Sequence, residues 1–272
     1  MLIQYSLWRI IGLKHFKKFS TVLSRLSLFL TLSLLLALLP SCARPVSLSE
    51  SQADTLKDEP LQTVDGSQDY IGSFIFLGES TTYHLKSRGV LEGGTDTLQV
   101  WAPPSGTVNL DLTVDSLKIV YPETGELLTL SEAVSRKQPQ RMLLCFGLNG
   151  AVTKIKRGEE YFHSCYMKLI DTVRSSSPQT EIILASCYPI SKSMDVSAYT
   201  VDAVTLNSYI TQINGWTRSL SLKEGLGFVD LASPIRDSEG FLLPEFDAGD
   251  GYHLNGAAYL CILERLRESE HQ

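Results

Sequence analysis

The chain has 272 residues, 43% of them hydrophobic and 20% charged, with 19 Gly and 11 Pro, which excludes a disordered, collagenous or low-complexity protein. The net charge of -6 argues against nucleic acid as the main partner, and five cysteines are too few for a disulfide scaffold. The length allows one sizeable globular domain or two small ones.

The charge is unevenly placed. Residues 1–41 carry Arg9, Lys14, Lys17, Lys18 and Arg25 and no acid. Ser27 to Leu39 is an apolar run of 13 residues, short for a membrane span and suited to the core of an export signal. Leu39-Pro40-Ser41-Cys42 follows and resembles a bacterial lipobox, with Leu at -3 and a small residue at -1. The expectation is a lipoprotein-type signal peptide over residues 1–41, with Cys42 freed and lipidated. An uncleaved anchor helix or ordinary cleavage nearby would export the remainder equally. The protein is thus expected on the outer face of the bacterial cytoplasmic membrane or in the envelope, held by an N-terminal lipid. Residues 42–69 are polar, without clear period, and read as a flexible tether.

From Tyr70 the pattern changes. Short apolar runs occur at 73–77, 98–102, 142–146, 181–186 and 227–231. Continuous runs of this kind predict strands buried on both faces, hence a parallel sheet. Between them, Phe162, Cys165, Tyr166, Leu169, Ile170 and Val173 sit at helix spacing, as do Leu206, Tyr209, Ile210, Ile213, Trp216 and Leu220. A last helix is predicted from about Asn255 to Arg267. The alternation predicts an α/β fold over residues 70–272: a three-layer α/β/α sandwich around a parallel, roughly five-stranded sheet. Residues 118–130 interrupt it as a small β-hairpin insertion, turning at Pro-Glu-Thr-Gly.

In such a sheet the ligand site lies at the carboxyl ends of the strands. The chain has no GxSxG elbow, phosphate-binding P-loop, HExxH, CxxC or GxGxxG. After the first strand comes Gly78-Glu79-Ser80, which puts the Ser80 hydroxyl at a strand-to-helix turn, exposed as a nucleophile or used merely as a helix cap. A serine nucleophile needs a base, and there are five histidines. His15 lies in the export segment and His271 in the tail. His84 is one helical turn past Ser80, too near to return to its hydroxyl, and His163 is in mid-helix. His253 remains, in Asp250-Gly251-Tyr252-His253, where Asp250 can orient its ring; the alternative is a Gly-rich turn with an Asn255 cap. Asn149, in Gly147-Leu148-Asn149-Gly150, and Gly106, in a tight turn, are candidate oxyanion donors beside the Ser80 N–H. Cys145, Cys165, Cys187 and Cys261 read as small buried residues; sequence does not establish a bridge.

Gly-Glu-Ser at the first strand, a Gly after the second, Gly-x-Asn after the third and Asp-x-x-His before the last helix resemble, in this order, the SGNH (GDSL-type) hydrolases. The resemblance covers about Tyr70 to Glu268. It implies Ser80 as nucleophile, His253 as base, Asp250 as its acid partner, and Ser80, Gly106 and Asn149 as the oxyanion hole. Two positions depart from the pattern: Glu79 stands where Asp is usual, and Gly150 where Asp is usual. The resemblance and the export signal together imply a surface-tethered serine esterase. Its substrates would carry short O-acyl groups, acetyl among them, on small molecules or glycans. No metal or organic cofactor is implied. An O-acyltransferase using the same acyl-enzyme and a non-catalytic surface binding protein are the alternatives.

Overall fold

The computed structural model describes residues 67–111 and 116–271. The predicted signal peptide, the Cys42 lipidation site and most of the predicted tether lie outside the described residues. Helix α1 (Ser67–Gly72) begins within residues read as tether.

Five strands form one parallel sheet: β1 (Phe74–Gly78), β2 (Val100–Trp101), β5 (Arg141–Cys145), β6 (Glu181–Ala185) and β7 (Gly227–Val229). Their order is β2-β1-β5-β6-β7. Each predicted apolar run contains a strand; the three central ones, β1, β5 and β6, are almost wholly buried on both faces, whereas the edge strand β7 is buried only at Val229. All five residues of β1 are buried. Burying one Phe or Leu contributes about 1.5–3 kcal/mol, so these strands are anchored by their own side chains. Helices α5 (Glu159–Ser176) and α6 (Ala203–Glu224) extend the predicted helical patterns by a few residues, and α7 (Gly256–Glu268) lies within one residue of its predicted bounds. The buried face of α5 is Phe162, Cys165, Tyr166, Leu169, Ile170 and Val173, the residues whose spacing marked the helix.

The hairpin forms from β3 (Lys118–Val120) and β4 (Leu127–Thr129). Leu130, read as strand, is instead the first residue of helix α3 (Leu130–Lys137). Thr129 ends the strand because it closes a capping box: its hydroxyl accepts the Glu132 N–H, and the Glu132 carboxylate accepts the Thr129 N–H. Such a cap contributes about 1 kcal/mol. The hairpin also continues the edge of the sheet, since the Val120 N–H donates to the Ala102 carbonyl at 2.9 Å. The Tyr121 ring packs edge-on against Trp101 with centroids 5.8 Å apart. An otherwise open edge at the two-residue β2 is thereby covered.

The strand order puts β2 on one side of β1 and β5 on the other, so the chain reverses direction across the sheet at β1. The loops leaving β1 and β5 diverge there and leave a crevice at the carboxyl edge. Gly78 ends β1 at that crevice. A Cβ on it would lie 2.2 Å from the Thr82 hydroxyl and 2.5 Å from the Cys145 carbonyl, so only glycine lets the next helix start so close to β5.

Candidate active site

Helix α2 (Ser80–Ser87) starts directly after β1, with Glu79 in the N-cap position and no side-chain cap bond. Ser80 is therefore the first helical residue rather than the cap. Its hydroxyl is bonded elsewhere: Ser80 Oγ lies 3.0 Å from His253 Nε2, across 173 positions of sequence.

The Glu79 side chain crosses to the loop after β5. One carboxylate oxygen accepts the Gly147 N–H at 3.1 Å, and the other accepts the N–H groups of Leu148 and Asn149 at 3.0 Å. Glu79 is 1% exposed, and burial pushes its carboxyl above the ordinary carboxylate range, against the opposing pull of the Lys154 charge and these three N–H groups. An unpaired buried carboxylate would cost several kcal/mol, so the three bonds offset a large part of that penalty and hold the loop's backbone in place. Lys154, from helix α4 (Ala151–Arg157), is also 1% exposed; its ammonium pairs with Asp111 at 2.9 Å and donates to the Asn149 carbonyl. Both departures from the family pattern are thus accommodated. The longer Glu79 still reaches the loop. The space beside Gly150 is taken by the Asp111–Lys154 pair, whose nearest atoms lie 3.4–3.5 Å from where a Cβ would be.

The opposite wall is the turn before α7. Asp247 accepts the N–H groups of Gly249 and Gly251 and so folds the turn back on itself. Asp250 then accepts the N–H groups of Tyr252 and His253 on one oxygen, and His253 Nδ1 at 2.6 Å on the other. Partial burial would raise the Asp250 carboxyl. The hydrogen bonds from the His253 backbone and ring and from Tyr252, with the His253 charge, outweigh it and carry the group below its ordinary range. A carboxylate can only accept, so Nδ1 carries the hydrogen and the Nε2 lone pair faces the Ser80 hydroxyl. Asn255 caps α7 by accepting the Ala258 N–H at 3.1 Å. The helix cap and the Ser–His–Asp arrangement therefore coexist in one turn. The buried Tyr259 hydroxyl donates to the Thr81 carbonyl at 2.5 Å and ties α7 to α2, which keeps His253 in register with Ser80.

His84 does not bond Ser80, in keeping with its place on the same helix. Its ring packs on that of His253, with centroids 4.4 Å apart and a 37° tilt, a contact the sequence does not reveal. Its Nδ1 is buried without a hydrogen-bond partner. Burial first, then the charges of His253 and Arg88, lower its affinity for a proton, against Asp250. A neutral ring thus lies against the His253 imidazole, and the neighbouring Tyr252 ring packs at 4.1 Å.

Gly106 requires a correction. Its φ of +74° and the Tyr83 ring 3.2 Å from a would-be Cβ explain the glycine. Its N–H, however, donates to the Pro103 carbonyl at 2.8 Å and closes the turn, so it is not available to an oxyanion. The Ser80 N–H and the Asn149 side-chain amide do converge, on the hydroxyl of Thr107, at 3.1 and 3.0 Å. Thr107 carries no signal in the sequence beyond its place after Gly106.

The remaining candidates stay apart from this cluster. His163 Nε2 is bonded to the Trp216 carbonyl at 2.9 Å. Cys145, Cys165, Cys187 and Cys261 are free thiols, and burial pushes Cys145 up to about 12, far from a reactive thiolate. Cys187, two residues past the end of β6, is buried as expected. Among the described residues no cluster of His, Cys, Asp and Glu could hold a metal ion.

A model of the GDSL-like lipase/acylhydrolase family matches residues 76–260, a stretch that contains every residue of the cluster from Glu79 to His253. No curated protein matches the chain. Among solved structures, a candidate platelet activating factor from Streptococcus pneumonia is 19% identical, covers 74% of this chain and 89% of its own, and superposes with a TM-score of 0.50. A GDSL-like lipase from Bacteroides thetaiotaomicron is 13% identical, over 76% of this chain and 98% of its own, with a TM-score of 0.46. A catalytic mutant of an acetylxylan esterase from Geobacillus stearothermophilus is 13% identical, over 72% of this chain and 92% of its own, with a TM-score of 0.43.

Proposed function

The chain belongs to the GDSL-like lipase/acylhydrolase family, a family of ester-cleaving hydrolases, and from that premise we propose that it is an exported, lipid-anchored serine esterase that removes short O-acyl groups, acetyl among them, from glycans. The observation that carries the reading is the unbroken chain from Asp250 through His253 to Ser80, with contacts of 2.6 and 3.0 Å. The binding-module alternative gives no reason for such a chain beside two converging N–H donors. The short acyl group and the glycan rest on the exported N-terminus, which would bring the domain to envelope esters.

In the proposed reaction His253 Nε2 takes the Ser80 proton as Oγ attacks the ester carbonyl. The carbonyl oxygen becomes an oxyanion held by the Ser80 N–H and the Asn149 amide. Collapse expels the alcohol, which leaves with the proton from His253 and yields the acyl-Ser80 ester. Water, deprotonated by His253, attacks that ester; the acid departs and Ser80 recovers its proton. Asp250 remains ionised throughout and supports the imidazolium. Glu79 and Lys154 act through Asn149 as positioning residues.

The direct test is labelling by a fluorophosphonate, which forms a covalent adduct on an activated serine, together with hydrolysis of a short-chain aryl ester. Folded protein that takes no label at Ser80 would remove the esterase reading. Product analysis with an added glycan acceptor separates hydrolysis from acyl transfer. Asn149→Ala is expected to fold normally and to lose about 10²–10³ in kcat, the usual cost of one oxyanion donor. A change confined to KM would place Asn149 in substrate binding instead. For the anchor, Cys42→Ser is expected to release the domain or leave an unprocessed precursor, because a lipid supplies membrane affinity that a hydroxyl cannot. Unchanged processing and membrane retention in that variant would defeat the lipid-anchor proposal.

A further inference from the structure

The seat that the proposed reaction assigns to the substrate's carbonyl oxygen is filled by the protein's own Thr107 hydroxyl. The Ser80 N–H and the Asn149 amide donate to this one oxygen at 3.1 and 3.0 Å. Donors useful to an oxyanion lie 2.7–3.1 Å from the position that the oxyanion takes. Thr107 Oγ1 and a substrate oxygen therefore cannot hold those two donors together.

We propose that Thr107 is an internal competitor for the oxyanion hole, a one-residue gate that must turn out before an ester binds productively. The inference rests on the esterase reading for the identity of the hole. The backbone on both sides of Thr107 is tied down. The Gly106 N–H donates to Pro103, the Val108 N–H donates to the Gly78 carbonyl at 3.2 Å, and the Thr107 carbonyl accepts from the Ser105 hydroxyl at 3.2 Å. The motion left to the residue is rotation about its Cα–Cβ bond, which carries Oγ1 from one staggered well to another. While Oγ1 is in, it satisfies two partly buried donors and keeps the Asn149 amide aimed. When it is out, the same donors are free and already oriented.

A competitor of this kind lowers the fraction of enzyme able to bind and raises the apparent dissociation constant by the same factor. It is absent from both the productive substrate complex and the transition state, so kcat is untouched. Thr107→Ala removes the competing oxygen. The expected result is a KM about 5–150-fold lower and a kcat/KM higher by the same factor, the scale of two neutral hydrogen bonds, with kcat unchanged. Fluorophosphonate inactivation should speed up to match. Thr107→Ser keeps an oxygen in the seat and should behave as wild type.

The Ser80 backbone amide and the Asn149 side-chain amide report on the seat without turnover, and their NMR resonances should both move in Thr107→Ala. An active wild type whose KM ignores Thr107→Ala would overturn the gate alone. A fall in kcat would overturn it in favour of a hydroxyl that assists the chemistry or orients Asn149. Unmoved amide resonances would overturn it whatever the kinetics. An inactive, unlabelled wild type with both resonances moved would instead defeat the esterase reading, and the competition with it, while leaving the hydrogen bonds in place.

Discussion

Ser80→Ala and His253→Ala are each expected to lower kcat by about 10⁶-fold, with the double variant hardly worse than either, because nucleophile and base act as one unit. The reason is the single 3.0 Å contact between Ser80 Oγ and His253 Nε2. Without the imidazole the hydroxyl keeps its proton and is a poor nucleophile. Without the hydroxyl the imidazole has nothing to activate except water. Neither substitution should unfold the protein, since the turn that carries His253 is held by Asp247 and Asp250 through backbone N–H groups, and α7 keeps its Asn255 cap. The competing view makes this segment a helix-entry turn, for which each variant would lose stability and keep wild-type turnover per folded molecule. Measuring kcat/KM on a short-chain aryl ester beside thermal unfolding decides between them. A folded His253→Ala protein with near-normal turnover would return the binding-module reading to the front.

Asp250→Asn should cost about 10⁴-fold in kcat with little loss of fold. Asparagine can still accept the Tyr252 and His253 N–H groups on its oxygen, so the turn survives. Its amide nitrogen then replaces the carboxylate oxygen that lies 2.6 Å from His253 Nδ1. An NH₂ group there donates, which forces the hydrogen onto Nε2, where it faces Ser80 and blocks proton transfer. The support for the imidazolium is lost as well. Because the Asp250 carboxyl sits below its ordinary range, its contribution to stability is complete above the unfolded value of about 3.9, and it is lost as pH falls through the lower folded value. At neutral pH Asp250 is therefore a carboxylate, able to hold the His253 Nδ1 hydrogen and to support the imidazolium. Wild-type kcat in Asp250→Asn would show that the carboxylate only shapes the turn.

The architecture was legible in the sequence because its determinants are local. The three central strands β1, β5 and β6 are apolar runs buried on both faces, and α5 and α6 announce themselves by helix spacing. Where the sequence pattern misled, a local competitor decided: Leu130 reads as strand, but the Thr129–Glu132 capping box starts a helix there. Helix α4 went unmarked because it is seven residues long and four of them are basic or polar; the buried Lys154 helps to place it beside Ala151, Val152 and Ile155, which pack on the core.

Ser80, Asn149, Asp250 and His253 could be proposed from the sequence because strand ends are the only places where an α/β sheet exposes such groups together, and their order along the chain is distinctive. What each group bonds could not be read there. Ser80 and His253 stand 173 positions apart, and their contact depends on Tyr259 docking α7 against α2. Gly106 looked like a donor because it lies in the right turn, yet the turn itself consumes its N–H. Glu79 looked like a departure, and its reach to three N–H groups of another loop appears only once β1 and β5 are side by side. The contacts of Thr107 and His84 could not be read from the sequence, because their parts in the site come from the direction of a side chain across a crevice. Periodicity and composition specify which face of an element is buried; hydrogen bonds between strand ends are specified only by how the packed elements aim their side chains, and that is settled by the tertiary structure.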